Sequence, residues 1–392
     1  MGKATISSFK IIGCHTDSPC LKLAPVSKVD KFGYRQLNVQ TYGGGLWRTW
    51  FDRDLVVAGK VIVKEGEKLV SKYWRSTRPL VHLPSLCIHL DRKDEFNPNK
   101  ETNIKPIWSM AIVDQLFGEG VAAIADDVYN LDEKHASTLT NLIAKDLGIE
   151  RGAIVNFELS LADAMPSALT GMHEEFVSSP RLDNLASSMA SLDALVQHSR
   201  LKPEERDHSE IDMIMLFDHE EIGSTSAQGA NSNMAQEITE RIFDGSREDY
   251  FRAIHRSLMI SADLAHACHP NYSEKHQSQH QPVLQGGIVL KTNANQRYMT
   301  DGVGTAILRT LCARVNVPLQ DFMVRNDSLC GSTIGPMMAA KAGIKTIDIG
   351  APSLAMHSIR EIMGVVDLLY YQKLFAVFFD YYPELSETLL SE

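Results

Sequence analysis

The chain lacks any apolar run approaching the roughly 20 residues of a membrane-spanning helix, and its N-terminus has no apolar core of a secretion signal. It also lacks a C-x-x-C pair. Cys14, Cys20, Cys87, Cys268, Cys312 and Cys330 stand apart, so they read as free, mostly buried thiols of a reducing compartment, and the expectation is a cytoplasmic protein without a membrane partner. Basic residues do not dominate: 39 Lys and Arg face 49 Asp and Glu, and a net charge of −10 argues against nucleic acid as a partner. There is no internal repeat and no low-complexity tract. What is present is 392 residues of ordinary globular composition, 44% hydrophobic and 22% charged, enough for about two domains.

The most informative stretch is Asp218-His219-Glu220-Glu221-Ile222-Gly223-Ser224, directly after the apolar run Ile211–Phe217. Such a run reads as a buried strand, and two carboxylates at its C-terminal end are costly unless something positive holds them. Consecutive residues at a strand end point in different directions, so Glu220 and Glu221 cannot share one task. One can bind a metal while the other faces the metal's water as a general base; the plainer reading is a solvated acidic turn. Four further apolar segments lead to metal-ligand residue types, at His15 and Asp17, at Asp183, at Asp263 with His266 three residues on, and at His357. Two histidines and three carboxylates suit zinc, which takes both at about 2.0–2.2 Å. Ligands scattered over strand ends fit an open α/β sheet, whose sites lie outside the carboxyl ends of its strands.

Residues from about Leu21 are rich in β-branched, polar-alternating and Gly/Pro-punctuated stretches, among them Gln36–Tyr42 and Leu55–Val63 followed by the hairpin-like Lys64-Glu65-Gly66-Glu67. After about Ala162 strand-like and helix-like segments alternate. Leu185, Met189, Leu192 and Val196 recur at helical spacing, which predicts an amphipathic helix packing on the sheet through that face. Because His15 must sit with Asp183 and Glu221, the expectation is a discontinuous α/β catalytic domain of residues 1–20 and 162–392, a mixed sheet with flanking helices, interrupted by a β-rich insertion of residues 21–161. His89, alternating with apolar neighbours, reads as a strand histidine at an edge. His269, His276 and His280 read as a loop with structural hydrogen bonds rather than a further metal tract. Gly331–Gly335 reads as a tight turn lining the pocket or simply preceding a helix.

The segments His15-Thr16-Asp17-Ser18-Pro19, Tyr42–Trp47, Trp50–Leu55, Arg181-Leu182-Asp183-Asn184, Asp218–Ser224, His269-Pro270-Asn271-Tyr272 and Ala355–Glu361 together resemble the aspartyl aminopeptidase family, two-zinc exopeptidases that remove N-terminal Asp and Glu. The resemblance runs from about residue 9 to the C-terminus. It implies two zinc ions per chain bridged by Asp183, one adding His15 and Asp263, the other Glu221 and His357. It further implies a bridging water as nucleophile with Glu220 as general base, and Asp17 as a carboxylate orienting the site. It assigns His89 to a neighbouring subunit's site, and Lys291 to the substrate carboxylate with Tyr298 nearby. His266 is left either supporting the site or merely packed. The insertion becomes a dimerisation domain within a tetrahedral homo-oligomer of twelve chains acting on peptides with N-terminal Asp or Glu. Two departures stand out. Gln285-Gly286 replaces a His-Lys pair, and the family carries a helical segment ahead of its first metal histidine, whereas His15 lies close to Met1. A fragment, a short isoform or a misassigned start would account for the second. The alternatives are a relative preferring neutral N-terminal residues and a truncated, inactive oligomer subunit.

Overall fold

The computed structural model describes residues 6–90, 92, 95–117, 122–124, 127–201 and 209–389. Two compact units emerge, one of 1–18, 167–357 and 361–392, the other of 19–166 and 358–360.

The first unit is built on a six-stranded mixed sheet in the order Glu210–Phe217, Ser8–His15, Leu258–Ala262, Lys345–Gly350, Ile288–Lys291, Leu319–Phe322. All neighbouring pairs run parallel except Lys345–Gly350 with Ile288–Lys291. Every residue of Ser8–His15, Leu258–Ala262 and Ile288–Lys291 is buried, as expected of strands covered on both faces. On one face Ile12, Ile260 and Ile349 pack with the helices Leu182–Ser199, Gly302–Arg314 and Val365–Leu389; on the other Phe9, Ile11 and Met259 pack with Met234–Ile242, Arg247–Arg256 and Ile334–Ala342. The parallel register sets His15 beside Phe217, and Ser261 beside Asp348, so the chain leaves the first four strands at one edge of the sheet. A second sheet of the same unit runs Ala265–His266, Pro352–Leu354, Glu361–Gly364, Phe176–Ser179, Ala168–Thr170.

The helix Leu182–Ser199 forms, but with the opposite face inward. Ala186, Ala190 and Ala194 are buried, with Ala190 at 3%, whereas Leu185, Met189, Leu192 and Val196 are exposed, Met189 at 57%. Close approach of the helix to the sheet is the reason. Ser188 Oγ donates to His15 O (2.9 Å) and Cys14 faces Ser191, distances that large side chains on this face would not permit.

The second unit is a seven-stranded antiparallel sheet ordered Lys68–Arg75, Asp54–Glu65, Val81–His82, Ile107–Met110, Tyr34–Tyr42, Cys20–Lys31, Ile154–Asp163, and the last strand pairs back onto Asp54–Glu65 to close a barrel-like ring. Its core gathers Leu21, Leu55, Val61, Trp74 and Leu161. The turn between Asp54–Glu65 and Lys68–Arg75 needs Gly66, whose φ is +61°. His89 is not a strand residue: it lies in a turn within the exposed stretch 84–90. The six cysteines are free, but only Cys14 and Cys312 are buried, and Cys87 is exposed. No helix among the described residues is long and apolar enough to cross a membrane.

Candidate metal centre and active site

At the end of Ser8–His15, the His15 imidazole is buried. Its Nδ1 faces Asp17, 3.1 Å from the backbone carbonyl and 3.4 Å from Oδ1. Its Nε2 looks onto carboxylates from three other segments, Asp183 Oδ1 at 3.2 Å, Asp263 Oδ1 at 3.5 Å and Glu220 Oε2 at 3.8 Å. Opposite, His357 Nε2 lies 3.3 Å from Asp183 Oδ2 and 3.1 Å from Glu221 Oε2. Asp183 thus turns one oxygen to each histidine. His15, Asp183 and Glu221 bring their ligand atoms within 4.8 Å of one another.

Local structure explains how these side chains are aimed. Glu220–Ile222 is a single 3-10 turn entered through His219 at φ +65° and left through Gly223 at φ +102°. Asp17 clamps the turn, its Oδ1 and Oδ2 accepting from the backbone N–H of Glu220 and Glu221 at 3.1 Å each. The two glutamates consequently diverge, Glu221 sealed against His357 and Glu220 more open on the His15 side. Asp183 opens its helix with non-helical backbone angles, held by Ser18 Oγ donating to its carbonyl (2.9 Å) and by Asn184 Nδ2 donating to Ala262 O (2.7 Å).

The electrostatics are those of a site built for a cation. Burial opposes ionisation of Asp183, but His15 and His357 outweigh it and hold the carboxyl well below its usual range. Burial works against His15 as well, yet Asp17, Asp183 and Asp263 raise it well above an ordinary imidazole. Burial, then the Asp263 charge, pushes Glu220 up to about 7; burial, then Asp183, pushes Glu221 up to about 9. The buried oxygens Asp183 Oδ1, Glu221 Oε1 and Asp263 Oδ1 accept no hydrogen bond. Crowded carboxylates with orphaned oxygens, interleaved with imidazoles, are the donor set of a divalent metal centre, so zinc fits these residues.

Lys291 ends Ile288–Lys291, buried at 3%, with Nζ 3.8 Å from Asp263 Oδ2 and 5.5 Å from the centre of the Tyr298 ring. Tyr298 is buried, and burial, then Cys330, raises its hydroxyl. His266 sits on the two-residue strand Ala265–His266, edge-on to Phe322, with its side chain exposed. His89 belongs to the other unit. In the histidine-rich loop, His280 Nδ1 lies 2.6 Å from Gln277 Oε1, and His269 Nδ1 accepts from Asn271 N. Gln285 donates through its backbone to Asp367 and through its amide to Glu175 O, a structural tie.

Two buried carboxylates escaped the sequence reading. Glu361, on Glu361–Gly364, accepts from Asp183 N and from His357 N. Asp348 accepts from Met299 N and Thr333 Oγ1, fixing the loops on either side of Tyr298 and Ile334. Each is the only acid of its strand and is followed by an apolar residue, Ile349 or Ile362, which is the signal that could have found them.

The model of the aminopeptidase I zinc metalloprotease family (M18) matches residues 2–379. A probable aspartyl aminopeptidase of Ricinus communis is 42% identical over 98% of this chain and 83% of its own length, and aspartyl aminopeptidase 4 of Saccharomyces cerevisiae is 42% identical over 97% and 81%. Among solved structures, the cryo-EM structure of the Ape4 and Nbr1 complex contains a chain 40% identical, with a TM-score of 0.93, covering all of this chain and 75% of its own. The mApe1 dodecamer of S. cerevisiae is 29% identical with a TM-score of 0.84, covering 100% and 84%. The chain therefore belongs to the aminopeptidase I zinc metalloprotease family, M18.

Proposed function

We propose that this zinc-dependent aminopeptidase removes N-terminal Asp and Glu from peptides, with two zinc ions per chain. The observation that carries the reading is Asp183 turning one carboxylate oxygen toward His15 and the other toward His357. Two dications about 3.5–4 Å apart need such an anion between them. In this reading Asp183, His15 and Asp263 would hold one ion, and Asp183, Glu221 and His357 the other. Zinc supplies Lewis acidity, activating water and polarising the scissile carbonyl. Glu220, adjacent to a ligand yet turned away from His357, takes the water's proton and passes it to the leaving amine. Asp17 keeps the Glu220 and Glu221 backbone in place, and His266, beside Phe322, supports the pocket wall.

The aspartyl aminopeptidase relatives, at about 42% identity, supply the substrate class. On an acidic chain, recognition of an acidic side chain needs a local cation, and Lys291 beside Tyr298 is that group, drawn away from Asp263 when a substrate carboxylate arrives. A relative of the same family is a dodecamer. The proposal extends to a tetrahedral assembly of twelve chains in the cytoplasm, with residues 19–166 as the dimerising unit and His89 reaching a neighbour's site to stabilise the oxyanion.

The test is to measure bound zinc per chain, and steady-state rates on peptides with N-terminal Asp, Glu and Leu, with and without a chelator, for wild type and Lys291→Met. Two zinc ions, chelator-sensitive turnover and at least tenfold preference for acidic residues are expected. Lys291→Met raises KM for acidic substrates and leaves cleavage of the Leu peptide nearly unchanged. Equal loss on all substrates makes Lys291 structural, and faster cleavage of the Leu peptide by wild type establishes a neutral preference instead.

A further inference from the structure

Glu361 is 2% exposed and lies on the second sheet of the first unit, paired with Ser179 across the strand Phe176–Ser179. Its two oxygens do separate work. Oε2 accepts from the backbone N–H of Asp183 and Oε1 from that of His357, each at 2.8 Å. Those residues arrive from distant parts of the chain, and both carry ligand atoms of the proposed second metal position. A planar carboxylate is the one side chain that offers an acceptor to each of two backbone donors without also presenting a donor to one of them. A glutamine would face one N–H with its own NH2, and an aspartate is one methylene too short to reach both.

Burying an anion here runs against local electrostatics, because Glu361 is held against Asp183, itself a buried carboxylate. The gain is geometric. Asp183 and His357 are each fixed at the backbone, and Asp183 Oδ2 stands 3.3 Å from His357 Nε2. We infer that Glu361 is a positioning residue that presets the second zinc site, by locking the backbones of Asp183 and His357 to one another before metal arrives. This rests on the two-zinc reading above, and it assigns Glu361 no contact with metal or substrate.

The test is stepwise zinc affinity of metal-free protein, by competition with a chromophoric chelator, with visible spectra of the cobalt-substituted protein as a second readout. In Glu361→Gln one of the two zinc ions is expected to bind about 10–100-fold more weakly, the range for lost support of a ligand, with a changed cobalt spectrum at that step. Glu361→Asp is expected to fall between, because it loses one hydrogen bond without setting an NH2 group against the freed N–H. A folded Glu361→Gln that holds both ions at wild-type affinity with an unchanged spectrum overturns the inference, and so does a variant whose only change is a lower melting temperature. Wild-type protein that takes up no zinc overturns the metal reading itself, a different outcome. A measurement without any variant completes the test. The Asp183 and His357 amides are expected to resist hydrogen exchange already in the metal-free protein, and protection that appears only on adding zinc contradicts a preset site.

Discussion

Glu220 and Glu221 are chemically the same residue placed one peptide apart, and their surroundings make them different tools. Asp17 holds both backbone N–H groups, so the turn cannot swap the two side chains by a small rotation. Glu221 ends 3.1 Å from His357, while Glu220 ends 3.8 Å from His15, with an exposed edge. Burial, then the Asp263 charge, lifts Glu220 to about 7. Glu220→Gln keeps the shape and removes the proton acceptor. Turnover is expected to fall by about 10²–10⁴-fold, the usual worth of a general base, with two zinc ions retained by metal analysis. Loss of zinc in place of loss of turnover would mean that the two glutamates have exchanged roles. That the two side chains diverge was legible in the sequence, because adjacent residues at the end of an apolar strand cannot point the same way; which of them serves as base came only from the family resemblance.

At the scale of elements, the sequence showed the period of Leu182–Ser199 and hid its phase. Leu185, Met189, Leu192 and Val196 recur at helical spacing, but Ala186, Ala190 and Ala194 recur at the same spacing one residue later. Hydrophobicity favours the large set, whereas the requirement for Ser188 to reach His15 O favours the small one, and packing against the sheet decided it. The strand at His266 left no signal, because two residues are too few to show a period. The buried strand Leu258–Ala262 was legible as the apolar segment ahead of Asp263, since covering on both faces favours apolar residues. The phase correction has a measurable consequence. Ala190→Leu is expected to destabilise by about 1–3 kcal/mol through overpacking, while Met189→Ser is expected to change stability by less than about 0.5 kcal/mol. Chemical denaturation of the two variants distinguishes the faces; the reverse order would restore the sequence-based orientation.

Across the whole molecule, the convergence of the candidate ligands was legible although they span most of the chain: the parallel strands Ser8–His15, Glu210–Phe217 and Leu258–Ala262 deliver His15, Glu221 and Asp263 to one edge, while Asp183 and His357 follow strands of the second sheet. His89 had no such frame. It stands in a turn between Ile88 and Leu90, and Leu86, Ile88 and Leu90 are exposed at 61%, 70% and 75%. Three large apolar side chains flanking one histidine are costly to leave in water, and another copy of the chain is the cover that the proposed assembly provides. If His89 completes a neighbour's site, a working site needs Glu220 from one chain and His89 from another. Glu220→Gln and His89→Ala chains are then each nearly inactive alone but complement one another. Co-expressed in equal amounts, half of the sites retain Glu220, and half of those face a partner that retains His89, so roughly a quarter of wild-type activity returns. If His89 serves its own chain, no mixed assembly contains an intact site, and the mixture stays as inactive as its components. Activity of the purified mixed oligomer therefore decides where His89 works, and a fully active wild-type monomer would remove the need for any neighbour.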